Sequence, residues 1–220
     1  MLQFLRQAIA AAVCSAALIA ITAAPSRGAG NTVKIVALGD SLMAGYGLPE
    51  KDGFVARLQA ALAAKGVGAV IDNAGVSGNT AADGLARLDW SVPQDTDAVI
   101  VELGANDMLR GIRPEVTRAA LDAILRRLSE RHIGVLLCGM RGAPNLGADY
   151  GRAFERIYPE LAAKYEALLY PFFLDGVASD LGLNQPDGLH PNAAGVNAIV
   201  AGVLPKVEEL VARIRAQPRS

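Results

Sequence analysis

The sequence has few of the residues that bind metals or form disulfides, and no excess of the charge that binds nucleic acids. It contains two cysteines and two histidines in 220 residues, and they do not follow the spacing of zinc sites. Its 21 basic and 22 acidic residues include no block rich in Lys and Arg, which argues against a nucleic-acid surface. Heptads and internal repeats are also missing. These absences favour a small or neutral molecule as the partner.

Charged residues are scarce at the start of the chain. One positive charge in MLQFLRQ precedes the uncharged, Ala-rich run AIAAAVCSAALIAITAAPS, a pattern typical of an export signal. We predict a signal peptide over residues 1–24, and a periplasmic or secreted protein formed by residues 25–220. An uncleaved anchor is the alternative, but alanine is a weak membrane former. We therefore expect no stable membrane insertion after cleavage.

Loss of this segment would also remove Cys14. The remaining cysteine, Cys138, lies within the apolar run IGVLLCGM, so no intramolecular disulfide is then possible. Its surroundings indicate a buried side chain rather than a reactive thiol.

The rest of the chain alternates short apolar runs with stretches of helical period. Strands are predicted over residues 33–39, 67–75, 97–104, 133–140 and 171–178. Helical stripes of apolar residues begin at Phe54, after Pro114, at Phe154 and at Val196, and Pro205 is expected to kink or split the last helix. Strands that are apolar throughout and alternate with helices predict one α/β domain, with a parallel sheet covered on both faces.

Ligands of such sheets bind beyond the carboxyl ends of the strands. Four polar clusters lie at predicted strand ends or in late loops: GDSL (39–42), NAGVSGNT (73–80), GAND (104–107) and DGLHP (187–191). Together they contain the groups needed for acyl transfer.

Ser41 follows the first predicted strand, where we expect its hydroxyl to be exposed at the strand end. A serine needs a base within hydrogen-bond reach. His132 ends a charged helix ahead of a strand, which is the wrong edge of a parallel sheet. His190 lies three residues after Asp187, close enough for the carboxylate to hold the imidazole. Alternatively, Asp187 only opens a turn and His190 caps the last helix.

An oxyanion formed by serine attack needs hydrogen-bond donors. Gly78 permits close backbone approach, and Asn106 offers an amide beyond the third strand. Each has a structural alternative, in which Gly78 serves only a turn and Asn106-Asp107 forms a turn or a helix cap. The combination with Ser41, Asp187 and His190 favours the catalytic interpretation.

These four blocks, in this order and at this spacing, resemble those of the SGNH (GDSL-type) hydrolase superfamily. Within it, RGAPNLGADYGRAFERIYPELAAKYE and LLYPFFLDGVA are similar to the group of bacterial periplasmic thioesterase I, lysophospholipase L1 and arylesterase. The resemblance implies a flavodoxin-like three-layer α/β/α fold with five parallel strands. It also implies Ser41 as nucleophile and oxyanion donor, Gly78 and Asn106 as further donors, His190 as base and Asp187 as its orienting group.

The loop MLRGIRP corresponds in position to one that lines the acyl pocket in the family, and its apolar residues are Met108, Leu109 and Ile112. The expected protein is a serine esterase that needs no metal or organic cofactor and cleaves aryl esters, acyl-CoA thioesters or lysophospholipids. One alternative is a carbohydrate O-deacetylase of the same superfamily. Another is a non-catalytic binding module, although no G-x-G-x-x-G or P-loop is present.

Overall fold

Five parallel strands form one sheet in the computed structural model, which describes residues 32–217. The strands are β1 (Val33–Gly39), β2 (Ala69–Gly75), β3 (Ala98–Glu102), β4 (Gly134–Cys138) and β5 (Leu168–Tyr170). Their order in the sheet is β2-β1-β3-β4-β5, and every neighbouring pair is parallel. This is the strand order of flavodoxin-like proteins. The predicted fold class is confirmed.

Nine α-helices connect or flank the strands within residues 32–217. They are α1 (Ser41–Ala44), α2 (Phe54–Ala64), α3 (Ala81–Ala86), α4 (Leu88–Ser91), α5 (Ala105–Leu109), α6 (Pro114–Glu130), α7 (Ala148–Glu155), α8 (Ile157–Lys164) and α9 (Ala193–Ala216). Helices α2 and α9 pack against each other and on the sheet, whereas α3, α6 and α8 form a second packed group. These two groups are the outer layers of the sandwich.

The central strands are apolar because helices cover both of their faces. All five residues of β3 are buried, and β1 exposes only Lys34. The edge strand β2 instead alternates, with Val70 and Asp72 exposed. An edge strand covered on one face keeps the period of two that a fully covered strand loses.

The predicted fifth strand, residues 171–178, is wrong. The strand is Leu168–Tyr170, and turns follow it. Phe173 and Val177 are fully buried within these turns, and the Phe173 ring meets Phe54 edge-on at 4.9 Å between centroids. Buried apolar residues in a turn therefore produced a strand-like pattern. The helical stripe that begins at Phe154 predicts Leu168 as its last residue, but Leu168 belongs to the strand because the preceding helix ends at Lys164.

The predicted helix starting at Phe154 is two helices that meet at Arg156. Pro159 lies in the first turn of the second, where its missing N–H has no intrahelical role. The last helix, by contrast, runs unbroken through Pro205. Of the two outcomes expected for that proline, splitting does not occur.

Cys138 is fully buried at the end of β4, as predicted. The proposed signal peptide and Cys14 lie outside the described residues. In the part of the chain that the structure describes, no helix combines the length and apolarity needed to cross a bilayer.

Gly75, at the end of β2, lies directly against the backbone of α1. A Cβ atom there would be 2.3 Å from the Ala44 nitrogen and 2.7 Å from the Met43 carbonyl carbon. We expect Gly75→Ala to lower the free energy of unfolding by about 1–3 kcal/mol, because backbone cannot move aside as a side chain does. Gly151→Ala is the matched control: a Cβ there meets nothing within 4 Å, and in helix α7 it should be neutral or stabilise by up to about 1 kcal/mol. Urea denaturation of both variants tests this, and equal effects would contradict it.

Candidate active site

The strand order brings together the polar residues that follow the first three strands. Strand β1 lies between β2 and β3, so the segments leaving these strands emerge side by side at one edge. Ser41 follows β1, Gly78 follows β2, and Asn106 follows β3. This is also the point where successive connections diverge from β1, the usual ligand crevice of a doubly wound sheet.

Ser41 is the first residue of α1. The Asp40 side chain caps this helix by accepting a hydrogen bond from the Leu42 N–H at 3.0 Å, a common role for aspartate at a helix start. The short helix ends at Gly45, whose φ of 75° suits glycine. Ser41 is only 9% exposed. The expectation of an exposed hydroxyl is therefore wrong, because the helix and the His190 loop enclose the residue.

Three of the predicted residues form one hydrogen-bonded chain. The Ser41 Oγ lies 2.9 Å from His190 Nε2, and His190 Nδ1 lies 2.6 Å from Asp187 Oδ2. An ionised carboxylate accepts the hydrogen carried by Nδ1, which leaves Nε2 as the acceptor for the serine hydroxyl. The order of contacts is that of a serine nucleophile, its base and an orienting acid.

Asp187 is held in its ionised form. Its Oδ1 accepts the backbone N–H groups of Leu189 and His190 at 2.9 and 3.0 Å. The His190 N–H, the Leu189 N–H and the imidazole together lower the pKa of Asp187 to about 2. The carboxylate is therefore charged throughout the neutral range.

The His190 loop is tied to the loop after α1. The Tyr46 ring lies over the imidazole at 4.5 Å between centroids. Gln185 donates from Nε2 to the carbonyl groups of Tyr46 and Pro191, and its N–H donates to the His190 carbonyl at 2.7 Å. These contacts fix the loop that bears the imidazole against the segment that carries Ser41.

Two backbone N–H groups at this edge of the sheet have no acceptor. Among residues 32–217, neither the Ser41 N–H nor the Gly78 N–H makes a hydrogen bond. Gly78 has a φ of 83°, and its carbonyl accepts from the Arg110 side chain at 2.7 Å. Unpaired backbone donors are uncommon in folded proteins. Those of Ser41 and Gly78 are available to an incoming anion.

The amide of Asn106 is fixed from two sides. Its Nδ2 donates to Asp40 Oδ2 and to the Asn79 carbonyl, both at 3.0 Å. The Asn79 side chain is in turn bound by Arg87, a buried residue whose guanidinium also donates to the Gly39 carbonyl. Both amide hydrogens of Asn106 are therefore engaged.

The sequence reasoning missed several residues of this network, namely Asp40, Glu102 and Arg87. It also left Asp107 as a turn or cap; Asp107 is buried and joins three helices by accepting from the Ala81 N–H and the Thr117 hydroxyl. Asp40 stands in the quoted motif, where the capping preference of aspartate was a usable signal. Glu102 carried a signal too, since a carboxylate within an otherwise apolar run is unusual.

Burial raises the pKa of both carboxyl groups beneath Ser41. Asp40 and Glu102 are fully buried. Desolvation raises the pKa of Asp40 to about 6, against the opposing effect of donors from Leu42 and Asn106. Desolvation, and then repulsion from Asp40, raises the pKa of Glu102 well above 4.5. Glu102 is therefore the member of the pair that holds a proton at neutral pH.

His132 lies away from this site, as predicted. It connects the end of α6 to the start of β4, at the amino edge of the sheet, and has a φ of 56°.

The residues of the predicted acyl wall differ in exposure. Met108 packs on the core, Ile112 is half-buried, and Leu109 is 54% exposed. Only Leu109 offers a large free apolar surface.

An apolar cavity of about 10 Å³ adjoins Ser41 and His190. It has room for roughly one water molecule. In residues 32–217 no group of three or more His, Cys, Asp and Glu side chains is arranged to hold a metal ion.

At the carboxyl edge of the flavodoxin-like sheet, Ser41, His190 and Asp187 have the hydrogen-bonded arrangement that is found in hydrolases of the serine type. A family model described as "GDSL-like Lipase/Acylhydrolase family" matches residues 37–198. The chain belongs to this family and is a hydrolase that acts on ester bonds.

Individual relatives agree with this assignment. The chain is 37% identical to the esterase TesA of Pseudomonas aeruginosa over 88% of its own length and 96% of that protein. It is 38% identical to thioesterase 1/protease 1/lysophospholipase L1 of Escherichia coli K12 over 72% of its length and 75% of that protein. A solved structure, the SGNH-hydrolase family esterase AlinE4, is 48% identical with a TM-score of 0.69, covering 82% of this chain and 97% of that one.

The raised pKa of Glu102 predicts a pH-dependent effect of Glu102→Gln on stability. Above about pH 4.5 the unfolded chain releases the Glu102 proton while the native protein retains it. The stability of the wild type therefore falls as pH rises from there towards the native pKa, and Gln removes this dependence. We expect the free energy of unfolding of the variant to rise relative to the wild type, by at most about 1.4 kcal/mol per pH unit. Urea denaturation of both proteins between about pH 5 and pH 8 tests the sign; a difference that is flat or falls with pH would contradict it.

Proposed function

We propose that the protein is a serine esterase in which Ser41 is the nucleophile, His190 the general base and acid, and Asp187 the group that orients His190. The observation that carries this proposal is the continuous contact from Ser41 Oγ through His190 to Asp187, at 2.9 and 2.6 Å. Both distances lie within the range required for proton transfer and orientation. The low pKa of Asp187 supports its role, because an ionised partner stabilises the imidazolium that forms.

In the first half-reaction, Ser41 Oγ attacks the carbonyl carbon of the ester while its proton moves to His190 Nε2. The carbonyl oxygen becomes an oxyanion, for which the N–H groups of Ser41 and Gly78 and the Asn106 amide are the proposed donors. Asn106 donates to it when the oxyanion replaces the Asn79 carbonyl as acceptor of one amide hydrogen. Each such donor stabilises the transition state by roughly 3 kcal/mol. When the tetrahedral intermediate collapses, the C–O or C–S bond breaks, and His190 returns the proton to the departing alcohol or thiol.

The second half-reaction repeats these steps with water. His190 takes a proton from the water that attacks the acyl-enzyme, and the same donors hold the new oxyanion. Collapse releases the carboxylic acid and returns the proton to Ser41 Oγ. The balanced result is hydrolysis of one ester bond, and every proton transfer passes through His190.

We infer that the substrates are small acyl esters or thioesters, among them aryl esters, acyl-CoA thioesters and lysophospholipids. The esterase and thioesterase/lysophospholipase names of the relatives support this range. The exposed apolar side chains of Tyr46, Leu109 and Leu189 lie in loops or short helices that follow catalytic positions, and they suit an apolar acyl or aryl group. We also propose that residues 1–24 export the chain to the periplasm or beyond.

The two histidines offer a matched test of the catalytic roles. We expect Ser41→Ala and His190→Gln each to lower kcat for p-nitrophenyl acetate by about 10³-fold or more, since they act as one unit. His132→Gln makes the same change at the opposite sheet edge and should alter kcat by less than about three-fold. Circular dichroism confirms that each variant is folded.

Equal losses from the two histidine variants would refute the assigned base. Labelling with an organophosphonate adds an independent readout: the wild type should be modified at Ser41, and a protein that binds ligands without catalysis should not. Release of acetate from acetylated sugars in preference to p-nitrophenyl esters would favour a carbohydrate O-deacetylase.

Leu109 allows a test of the acyl-binding side of the crevice. If its exposed side chain contacts the acyl chain, each buried methylene contributes up to about 0.8 kcal/mol. Leu109→Ala should then lower kcat/KM by about three- to ten-fold for decanoyl esters and little for acetyl esters. Val70→Ala, an equally exposed position on β2, is the control. A uniform change across acetyl, hexanoyl and decanoyl p-nitrophenyl esters would exclude this role.

A further inference from the structure

Glu102 is a buried carboxyl group for which the proposed reaction has no use. It ends β3 at the centre of the sheet, paired in register with Gly39 of β1 and Cys138 of β4. It is completely buried. A Cβ atom added at Gly39 would lie 2.6 Å from Glu102 Oε2, so the sheet closes tightly around the carboxyl group. A charged group at such a place is costly unless it is paired.

The neighbours of Glu102 offer no compensating cation. Among residues 32–217, no ion pair includes Glu102 or Asp40. Glu102 Oε2 accepts the Asp40 N–H at 3.3 Å, and Oε1 is buried without a partner. The two carboxyl groups are close enough for repulsion from Asp40 to raise the pKa of Glu102 further. Two buried carboxyl groups that repel each other in this way hold one proton between them, because ionising both is costly.

The other titratable groups around the pair are neutral or already in the site. Burial holds the pKa of Cys138 and of Tyr158 well above their ordinary values, so both keep their protons. His190, a member of the site already described, is also near Asp40. The proton of the pair therefore lies on Glu102, whose pKa is the more strongly raised, and Asp40 carries the negative charge.

Asp40 connects this pair to the oxyanion donors. Its Oδ1 accepts from the Leu42 N–H and its Oδ2 from Asn106 Nδ2, at 3.0 Å each. A carboxylate held by a donor on the core side keeps both oxygens directed at the helix and at the amide. Loss of the Glu102 donor would leave Asp40 free to turn. If Glu102 were instead ionised, its negative charge would oppose the developing oxyanion.

We propose that Glu102, in its protonated form, is a positioning residue for the oxyanion hole: it donates to Asp40, which in turn orients the Asn106 amide. The inference rests on the proposed function, since Asn106 matters only if it serves the oxyanion. It adds a buried proton donor to the supporting structure of the site. Because the effect passes through Asn106, it acts on the transition state and not on substrate binding.

The test compares Glu102→Leu, which removes the donor, with Glu102→Gln, which keeps a neutral donor of the same shape. For p-nitrophenyl acetate, Glu102→Leu should lower kcat and kcat/KM together by about ten-fold or more, with KM within about two-fold. Glu102→Gln should stay within about three-fold of the wild type. Cys138→Ala, a change at the neighbouring buried position, should leave kcat unaltered and controls for disturbance of the core.

A double variant tests whether Glu102 acts through Asn106. Asn106→Ala should lower kcat by about 10²–10³-fold, and adding Glu102→Leu should cause no further loss. The inference would be overturned if the losses of the two single variants multiplied in the double variant, or if Leu and Gln at position 102 caused equal losses. Retained activity in Asn106→Ala would instead refute the proposed oxyanion role, whereas a loss there with an active Glu102→Leu would refute only the role of Glu102.

Infrared spectroscopy tests the protonation state without depending on the fold of the Leu variant. At neutral pH the wild type should show the carbonyl band of a protonated carboxyl group, and Glu102→Gln should lack it. Absence of this band from the wild type would overturn the inference.

Discussion

The buried carboxylate of Asp40 is the contact on which the rest of the site depends. One oxygen caps helix α1 through the Leu42 N–H, and the other holds the Asn106 amide. The first contact starts a helix at Ser41, whose Oγ meets His190 Nε2. The second ties the end of β1 to the helix that follows β3. A single side chain thus sets the relative positions of the proposed nucleophile and one of its oxyanion donors.

Burial of that carboxylate has consequences for the surrounding core. Desolvation raises its pKa to about 6 even against the donors that surround it, and its ionised form at neutral pH depends on those donors. The capping N–H, the Asn106 amide and Glu102 supply them. The same constraint explains why a glutamate interrupts the apolar strand β3. A neutral donor beneath Asp40 stabilises its charge without adding another.

The second half of the site is assembled from the other end of the chain. The loop that carries Asp187 and His190 precedes α9, whose first turn is capped by the Asn192 side chain through the Ala194 and Gly195 N–H groups. Asn192 also donates to the Gly182 and Asn184 carbonyl groups. The helix start and the loop therefore fix each other, and His190 meets Ser41 across 149 residues of sequence. Rigid support of this kind is what a preorganised catalytic contact requires.

The amino-acid sequence by itself determined the fold class, four of the five strands and the identity of the proposed catalytic residues. The alternation of apolar runs with helical stripes was sufficient for the first two, because both periods are local properties of the chain. The family resemblance of the GDSL, SGNT, GAND and DGLHP blocks supplied the roles. The local pattern misplaced β5, since Phe173 and Val177 lie in turns that are buried only by long-range packing. The tertiary structure alone decided the burial of Ser41, the two contacts that occupy the Asn106 amide, and the pairing of Asp40 with Glu102. These depend on which strands lie side by side, and desolvation of a carboxyl group is set by neighbours that are distant in sequence.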